Sequence, residues 1–341
     1  MKIKLLLSAS LAVLLCTGNL AGAEMRILRD GFDGQSFSPE GGLYYKKNFE
    51  QSAGTVEFQR DVAQSGGALK LSVKPHCPPT RDSCSERAEI WEKPALRVPY
   101  NEGVWYGFAV KFAEPIPQDD HRYLIAQWKR EIGPDAEGDF SPFLALRLKR
   151  GKLFATVETN YIAPPATLAA TTPEKKPAAC ASGETPVWLR PETNQMRALV
   201  ATDATWTPDD GTLFSSCTRA ISLTEHGNPL PAPDSGWIDF AVFTKPGPDG
   251  SGHIEIFANG KPIVTVTGHI GHADPGLGKN QYFKFGPYRA ANEGEWTLYY
   301  DDFRRSPHCG DVLDKEACSA LAAQRQSEKS PPPSGNIVQQ D

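Results

Sequence analysis

The stretch Tyr282-Phe283-Lys284-Phe285-Gly286-Pro287-Tyr288 alternates polar and apolar side chains, the pattern of a half-buried β-strand. Successive strand residues point to opposite faces, so Tyr282, Lys284 and Tyr288 share one side while Phe283 and Phe285 occupy the other. A phenol and an ammonium are thereby displayed together. Lys284 and Tyr288 stand roughly 13 Å apart along the backbone, within reach of one ligand through their long side chains. An ordinary strand with a snorkelling lysine and an amphipathic tyrosine would show the same pattern.

The alternation recurs outward from this stretch. Short runs at 68–73, 103–112, 123–129, 143–149, 237–244, 253–258 and 296–304 are separated by Gly, Pro, Asn and Asp, and helical periodicity is nearly absent. Asn259-Gly260, between Ile254-Glu255-Ile256-Phe257 and Pro262-Ile263-Val264, is a hairpin signal because both central turn residues need a positive φ. So many strands in 341 residues predict one all-β domain over 24–307, a two-sheet antiparallel sandwich or jelly roll.

Two regions depart from the pattern. Residues 160–235 are rich in Pro, Ala and Thr, contain Cys180 and Cys217, and read as a long insertion loop. A loop of that length is uncommon without a purpose, so a lid over one end of a groove is one expectation and a decorated surface loop the other. Residues 308–341 read as a tail with Cys309, Cys318, a short helix over 317–326 and the linker-like Ser330-Pro331-Pro332-Pro333.

The chain opens with Lys2, Lys4 and an apolar run ending at Ala21-Gly22-Ala23, which predicts a signal peptide over residues 1–23. Cys16 lacks the small preceding residue that bacterial lipid attachment requires. A secreted or periplasmic soluble protein is therefore expected, and no later stretch has the apolar length of a membrane span. Cleavage removes two lysines and no acid, leaving 34 basic against 41 acidic side chains and a formal charge of −7. That balance argues against nucleic acid as a partner. The six remaining cysteines form an even set, and in an oxidising compartment their spacing suggests Cys77–Cys84, Cys180–Cys217 and Cys309–Cys318, although other pairings are formally open. None forms a C-x-x-C pair with matching histidines, which disfavours zinc.

Two further constellations carry polar chemistry. In Arg87-Ala88-Glu89-Ile90-Trp91, the charged pair shares a face on which Glu89 can hold the planar guanidinium for a carboxylate ligand. A surface ion pair is the plain alternative. In Gln127-Trp128-Lys129, an amide and an ammonium share a face suited to an acidic ligand, or to solvent.

In this order along the chain, Arg87-Ala88-Glu89-Ile90-Trp91, Gln127-Trp128-Lys129 and Tyr282 to Tyr288 resemble the jelly-roll polysaccharide lyases, the group that holds alginate, glucuronan and heparin-I-type lyases. Alginate lyases of that group carry R-x-E-aliphatic-R, Q-aliphatic-H and Y-F-K-x-G-x-Y. The resemblance extends to Gly236-Trp237-Ile238-Asp239-Phe240 and the Ile256-to-Lys261 hairpin, which look like back-sheet strands of the group. Trp91 replaces the second arginine of the first motif, which argues against alginate as the substrate. Lys129 replaces the histidine that commonly serves as base.

The resemblance implies a concanavalin A-like jelly roll that cleaves an acidic, uronate-containing polysaccharide by β-elimination, acts as a monomer and needs no cofactor for the chemistry. It implies that Arg87 and Gln127 neutralise the sugar carboxylate and that Tyr288 protonates the leaving oxygen and can also be the base. Lys129 could be a base only if its pKa fell well below 10.4; His76, His121, His269 and His272 are the other candidates. Lys284, Glu89, Tyr282 and Arg147 are placed in substrate binding. Asp301, near the Asp30-Gly31-Phe32-Asp33 turn, is a candidate ligand for a structural calcium. Two rival functions fit the same fold: a non-catalytic carbohydrate-binding protein, and a glycoside hydrolase, which needs two carboxylates flanking the bond. The E-x-D-x-x-E strand pattern of laminarinase-like hydrolases is absent.

Overall fold

The apolar halves of the alternating runs close on one another in the computed structural model, which describes residues 25–78, 84–137, 140–162, 180–273 and 275–329. Residues 1–23, expected as a signal peptide, lie outside the described residues, as do 163–179 of the expected insertion. Two antiparallel sheets result. From edge to edge, the nine-stranded sheet runs Ile221–Glu225, Lys261–Ile270, Gly247–Ala258, Ile238–Lys245, Val104–Phe112, Trp296–Ser306, Ala68–Val73 and Gly54–Gln59, with Leu28–Asp30 added beside Trp296–Ser306. The eleven-stranded sheet runs Ser216–Thr218, Thr185–Arg190, Gln195–Thr202, Lys152–Thr159, Leu144–Lys149, Tyr123–Ile132, Leu277–Ala290, Ile90–Glu92 and Leu43–Tyr45. Ser85–Arg87 and Val98–Pro99 pair with Leu277–Ala290. The fold is the expected all-β, two-sheet jelly roll.

The sheets meet in an aromatic core. Phe283 packs on Trp128 at 4.7 Å and on Phe108 at 5.3 Å, and Phe285 lies 4.8 Å from Tyr300. Phe108 and Tyr300 come from the smaller sheet, and Trp128, Phe283 and Phe285 from the larger. Burying these rings commits the opposite residues of the same strands, Gln127 and Lys284, to the open face of the larger sheet.

The 160–235 segment differs from its expectation. Thr185–Arg190, Gln195–Thr202 and Ser216–Thr218 lengthen the larger sheet and Ile221–Glu225 forms an edge of the smaller one. Composition hid this: the Pro- and Ala-rich flanks mask alternations in which Val187, Leu189, Met196, Ala198 and Val200 are buried. All three expected disulfides are present, with Cα separations of 5.7, 5.6 and 5.9 Å for Cys77–Cys84, Cys180–Cys217 and Cys309–Cys318. The C-terminal helix, Lys315–Lys329, is longer than the sequence suggested and is docked on the sandwich. Val312, Leu313 and Leu321 join Trp105, Ala241 and Phe257 of the smaller sheet in a second apolar cluster.

Candidate active site

Glu89 is the centre around which the polar groups of the open face assemble. It sits between Ser85–Arg87 and Ile90–Glu92, is 1% exposed, and its carboxylate receives two hydrogen bonds and one longer ion pair. Lys284 Nζ lies 3.0 Å from Oε2, the Gln127 amide donates to Oε1, and Arg87 Nη1 is 3.8 Å away. Lys284 and Gln127 are directly paired across the ladder, so sheet register alone sets them side by side. Trp91 is the partner of Lys284 on the other flank, and the ammonium lies 4.3 Å from the centre of its ring. Burial, partly offset by Glu89 and reinforced by Lys129 and Arg87, lowers the Lys284 pKa to about 7.

Gly286 explains why this arrangement is tight. Its φ is +124°, and a Cβ there would stand 2.1 Å from the Ala88 carbonyl oxygen and 3.0 Å from Glu89 Cα. Only glycine lets the two backbones approach this closely. The Ala88 amide then donates to the Pro287 carbonyl at 2.9 Å, which locks the Glu89 segment to the strand bearing Lys284. The ladder with Tyr123–Ile132 shifts register between Phe285 and Tyr288, and Tyr288 still shares the face of Lys284, whose ammonium is 6.0 Å from its ring.

Tyr288 is clasped by cations. The guanidinium of Arg87 lies 4.0 Å from its ring centre and that of Arg122 lies 4.9 Å away. Arg87 is held in turn by Glu50 at 3.0 Å and by Ser85 Oγ at 3.2 Å. Burial opposes its charge, but Glu89, Tyr288 and Glu50 outweigh burial and raise its pKa above the ordinary value. Lys129 is paired with Tyr282 across the ladder, and its charge acts on both Lys284 and His272.

The other expected residues divide. Tyr282 is buried between Trp91, stacked at 5.5 Å, and the Arg97 guanidinium at 4.3 Å. Together with Glu89 and Lys284, which is 2% exposed, it forms the layer beneath the open face. Arg147 is absent from the Glu89 cluster and instead binds Thr156 and Glu158 two strands away from Leu277–Ala290. Of the four histidines, His76 packs on Phe49, His121 pairs with Asp119, and His269 stacks on Tyr161. His272 lies near Lys129, Arg130 and Arg190, and burial lowers its pKa to about 4 and leaves it neutral at pH 7.

Asp301 does not fit a calcium ligand. Its carboxylate is buried and accepts the backbone N–H groups of Gln64 (3.0 Å), Ser65 (2.8 Å) and Asp302 (2.7 Å), together with the Ser65 hydroxyl. Donors that satisfy a carboxylate would point their positive ends at a cation. Asp30 likewise accepts the amides of Phe32 and Ser38. Among the described residues, no group of three His, Cys, Asp or Glu could hold a metal.

Sequence reasoning missed Glu50 and Arg122 and gave Trp91 no positive role. Glu50 sits in a short turn whose pattern carries no period, and Arg122 precedes its strand by one residue. Trp91 carried the one available signal: it alternates with Ala88 and Ile90 onto the face of Arg87.

An all-β sandwich bearing cations and a tyrosine on one open sheet face is the class of protein defined by this geometry, and the sequence places it further. The profile of the polysaccharide lyase family matches residues 38–304, and the chain belongs to that family. It is a polysaccharide lyase. The sequence matches no curated protein. The fold is similar to the crystal structure of endo-β-1,4-glucuronan lyase from the fungus Trichoderma reesei, with TM-score 0.51 and 17% identity over 84% of this chain and 96% of that one. It is also similar to the cellulose-induced protein Cip1 (TM-score 0.43, 14% identity, 82% of this chain and 97% of that one) and to the alginate lyase AlyC3 in complex with dimannuronate (TM-score 0.37, 14% identity, 70% and 74%).

Proposed function

We propose that the protein is an exported lyase that cleaves a uronic-acid-containing polysaccharide by β-elimination at Tyr288. The observation that carries this reading is the gathering of Arg87, Gln127 and Lys284 on one buried carboxylate beside a tyrosine clasped by two guanidinium groups. Such a surface keeps a surplus of positive charge and fixed donors where a sugar carboxylate must be neutralised. Arg87 and Lys129 engage that carboxylate. The Gln127 amide has two N–H donors, so one holds Glu89 while the other serves substrate.

Neutralising the carboxylate acidifies the adjacent C5–H. The base takes the C5 proton, its electron pair forms the C4=C5 double bond, and the C4–O4 bond breaks. O4 leaves as a hydroxyl after receiving a proton. Tyr288 supplies that proton and, acting as base as well, regains one from C5, so the step is balanced without a cofactor. The three disulfides favour an oxidising compartment and so support export.

The test is an assay for new unsaturated uronate ends across a panel of acidic polysaccharides, each with its carboxyl-reduced counterpart. Cleavage of at least one uronate polymer, abolished by carboxyl reduction, is expected. Cleavage that is indifferent to carboxyl reduction, or confined to polymers without uronate, would overturn the reading.

A further inference from the structure

The open face of the larger sheet continues past Tyr288 into a second cationic region that the elimination chemistry leaves unused. Glu158, fully buried, is contacted there by three guanidinium groups: Arg197 Nε at 2.6 Å, Arg190 Nη1 at 3.1 Å and Arg147 Nη2 at 3.3 Å. Arg190 is also paired with Glu192 at 3.2 Å, so three cations face two carboxylates and a local surplus of one positive charge remains. Burial outweighs Glu158 at Arg147 and Arg197, whose pKa values are both lowered, with the neighbouring arginines acting in the same direction. Asp120 and Asp210 on the far wall are already matched by Lys149, Arg150 and Lys152.

This surplus lines a pocket of about 530 Å³ that also contains Trp188, Trp206 and Arg122. Trp188 pairs with Arg197 across the ladder, and the guanidinium groups of Arg197 and Arg190 lie 5.0 and 5.4 Å from its ring. Arg122 joins the pocket to the first centre because it also lies against Tyr288. Gln195–Thr202 stands four strands from Leu277–Ala290 in the sheet, which at about 4.8 Å per strand spacing is roughly 19 Å. A chain lying across the strands at Tyr288 therefore passes over this pocket several sugar units later.

We propose that the pocket is a distal subsite for a uronic-acid unit of the same polysaccharide chain, with the arginines taking its carboxylate and Trp188 supporting its ring. Guanidinium forks match a carboxylate in two-point geometry, and an aromatic face beside them suits the apolar side of a sugar. The proposal rests on the uronate-lyase reading, and it makes the 185–202 strand pair a determinant of chain-length preference.

The test compares kcat/KM on long uronate chains and on short oligouronides that fill only the Tyr288 centre. Wild type should favour the long chains, and Trp188→Ala and Arg190→Gln should each reduce the long-to-short ratio by roughly 10-fold, the worth of one charge-assisted or stacking contact. If Arg190→Gln fails to fold, Trp188→Ala alone decides. A ratio equal to wild type in a folded Trp188→Ala variant overturns the subsite. Quenching of tryptophan fluorescence by a catalytically resistant long uronide separates the two readings. Binding that depends on Trp188, in a protein that cleaves no uronate polymer, keeps the subsite and removes the lyase reading. A protein that cleaves but binds long and short chains alike keeps the lyase reading and removes the subsite.

Discussion

Tyr288→Phe removes a single hydroxyl and keeps the ring that Arg87 and Arg122 pack against, so the fold should survive. General acid–base catalysis is typically worth about 10²–10⁴-fold, and turnover should drop by that amount with KM nearly unchanged. Wild-type turnover in the variant would remove Tyr288 from the chemistry. Lys129→Ala should raise KM more than it lowers kcat if Lys129 binds the carboxylate, whereas a collapse of kcat alone would make it the base. His272 gives a pH prediction. Its pKa is lowered from 6.5 to about 4, so the unfolded chain binds the proton more readily, and the associated stability is complete above pH 6.5 and lost as pH falls toward 4. The shift corresponds to about 3 kcal/mol at 1.36 kcal/mol per unit. Urea unfolding of wild type should lose that much more stability between pH 7 and 4 than His272→Phe does; parallel losses would contradict the burial account.

The Leu277–Ala290 strand works as an element because its two faces have different tasks and Gly286 governs its approach to the Ala88–Glu89 segment. In Gly286→Ala, the Ala88 carbonyl must retreat and the residue must hold a φ that side chains disfavour, at a cost of about 1–3 kcal/mol. Glu89 then moves away from Lys284, so turnover should fall even at temperatures where circular dichroism shows the variant folded. Phe283→Ala, which opens the core face of the same strand, should cost about 3–5 kcal/mol in stability. Turnover in that folded variant should be affected far less than in Gly286→Ala, because the Glu89 contacts do not pass through the Phe283 ring. Equal losses of turnover would mean that the two faces are not independent.

For the whole molecule, the two sheets differ in what lies on their outer faces. The larger sheet exposes the Tyr288 centre, while the smaller one is covered on its outer side by Leu321 of the C-terminal helix together with Val312 and Leu313 of the segment that leads into it. Leu321→Ala should therefore lower stability by about 2 kcal/mol in urea unfolding and leave kcat of the folded protein intact. A loss of kcat in folded protein would show that the helix communicates with the far sheet.

The alternation of the sequence by itself determined the sandwich and the partition of Phe283 and Phe285 from Tyr282, Lys284 and Tyr288, because strand period is a short-range property. Cysteine spacing suggested local disulfide pairs, and the structure decided among the open pairings. The tertiary structure decided which polar groups meet. Glu50, Arg87 and Tyr288 come together from positions up to 238 residues apart, and no local period announces such an encounter. The same reason separates Arg147 from the Glu89 centre: its strand alternates correctly, but the sheet order sets it beside Glu158, Arg190 and Arg197. Asp301 likewise read as a cation ligand until its neighbours proved to be N–H donors.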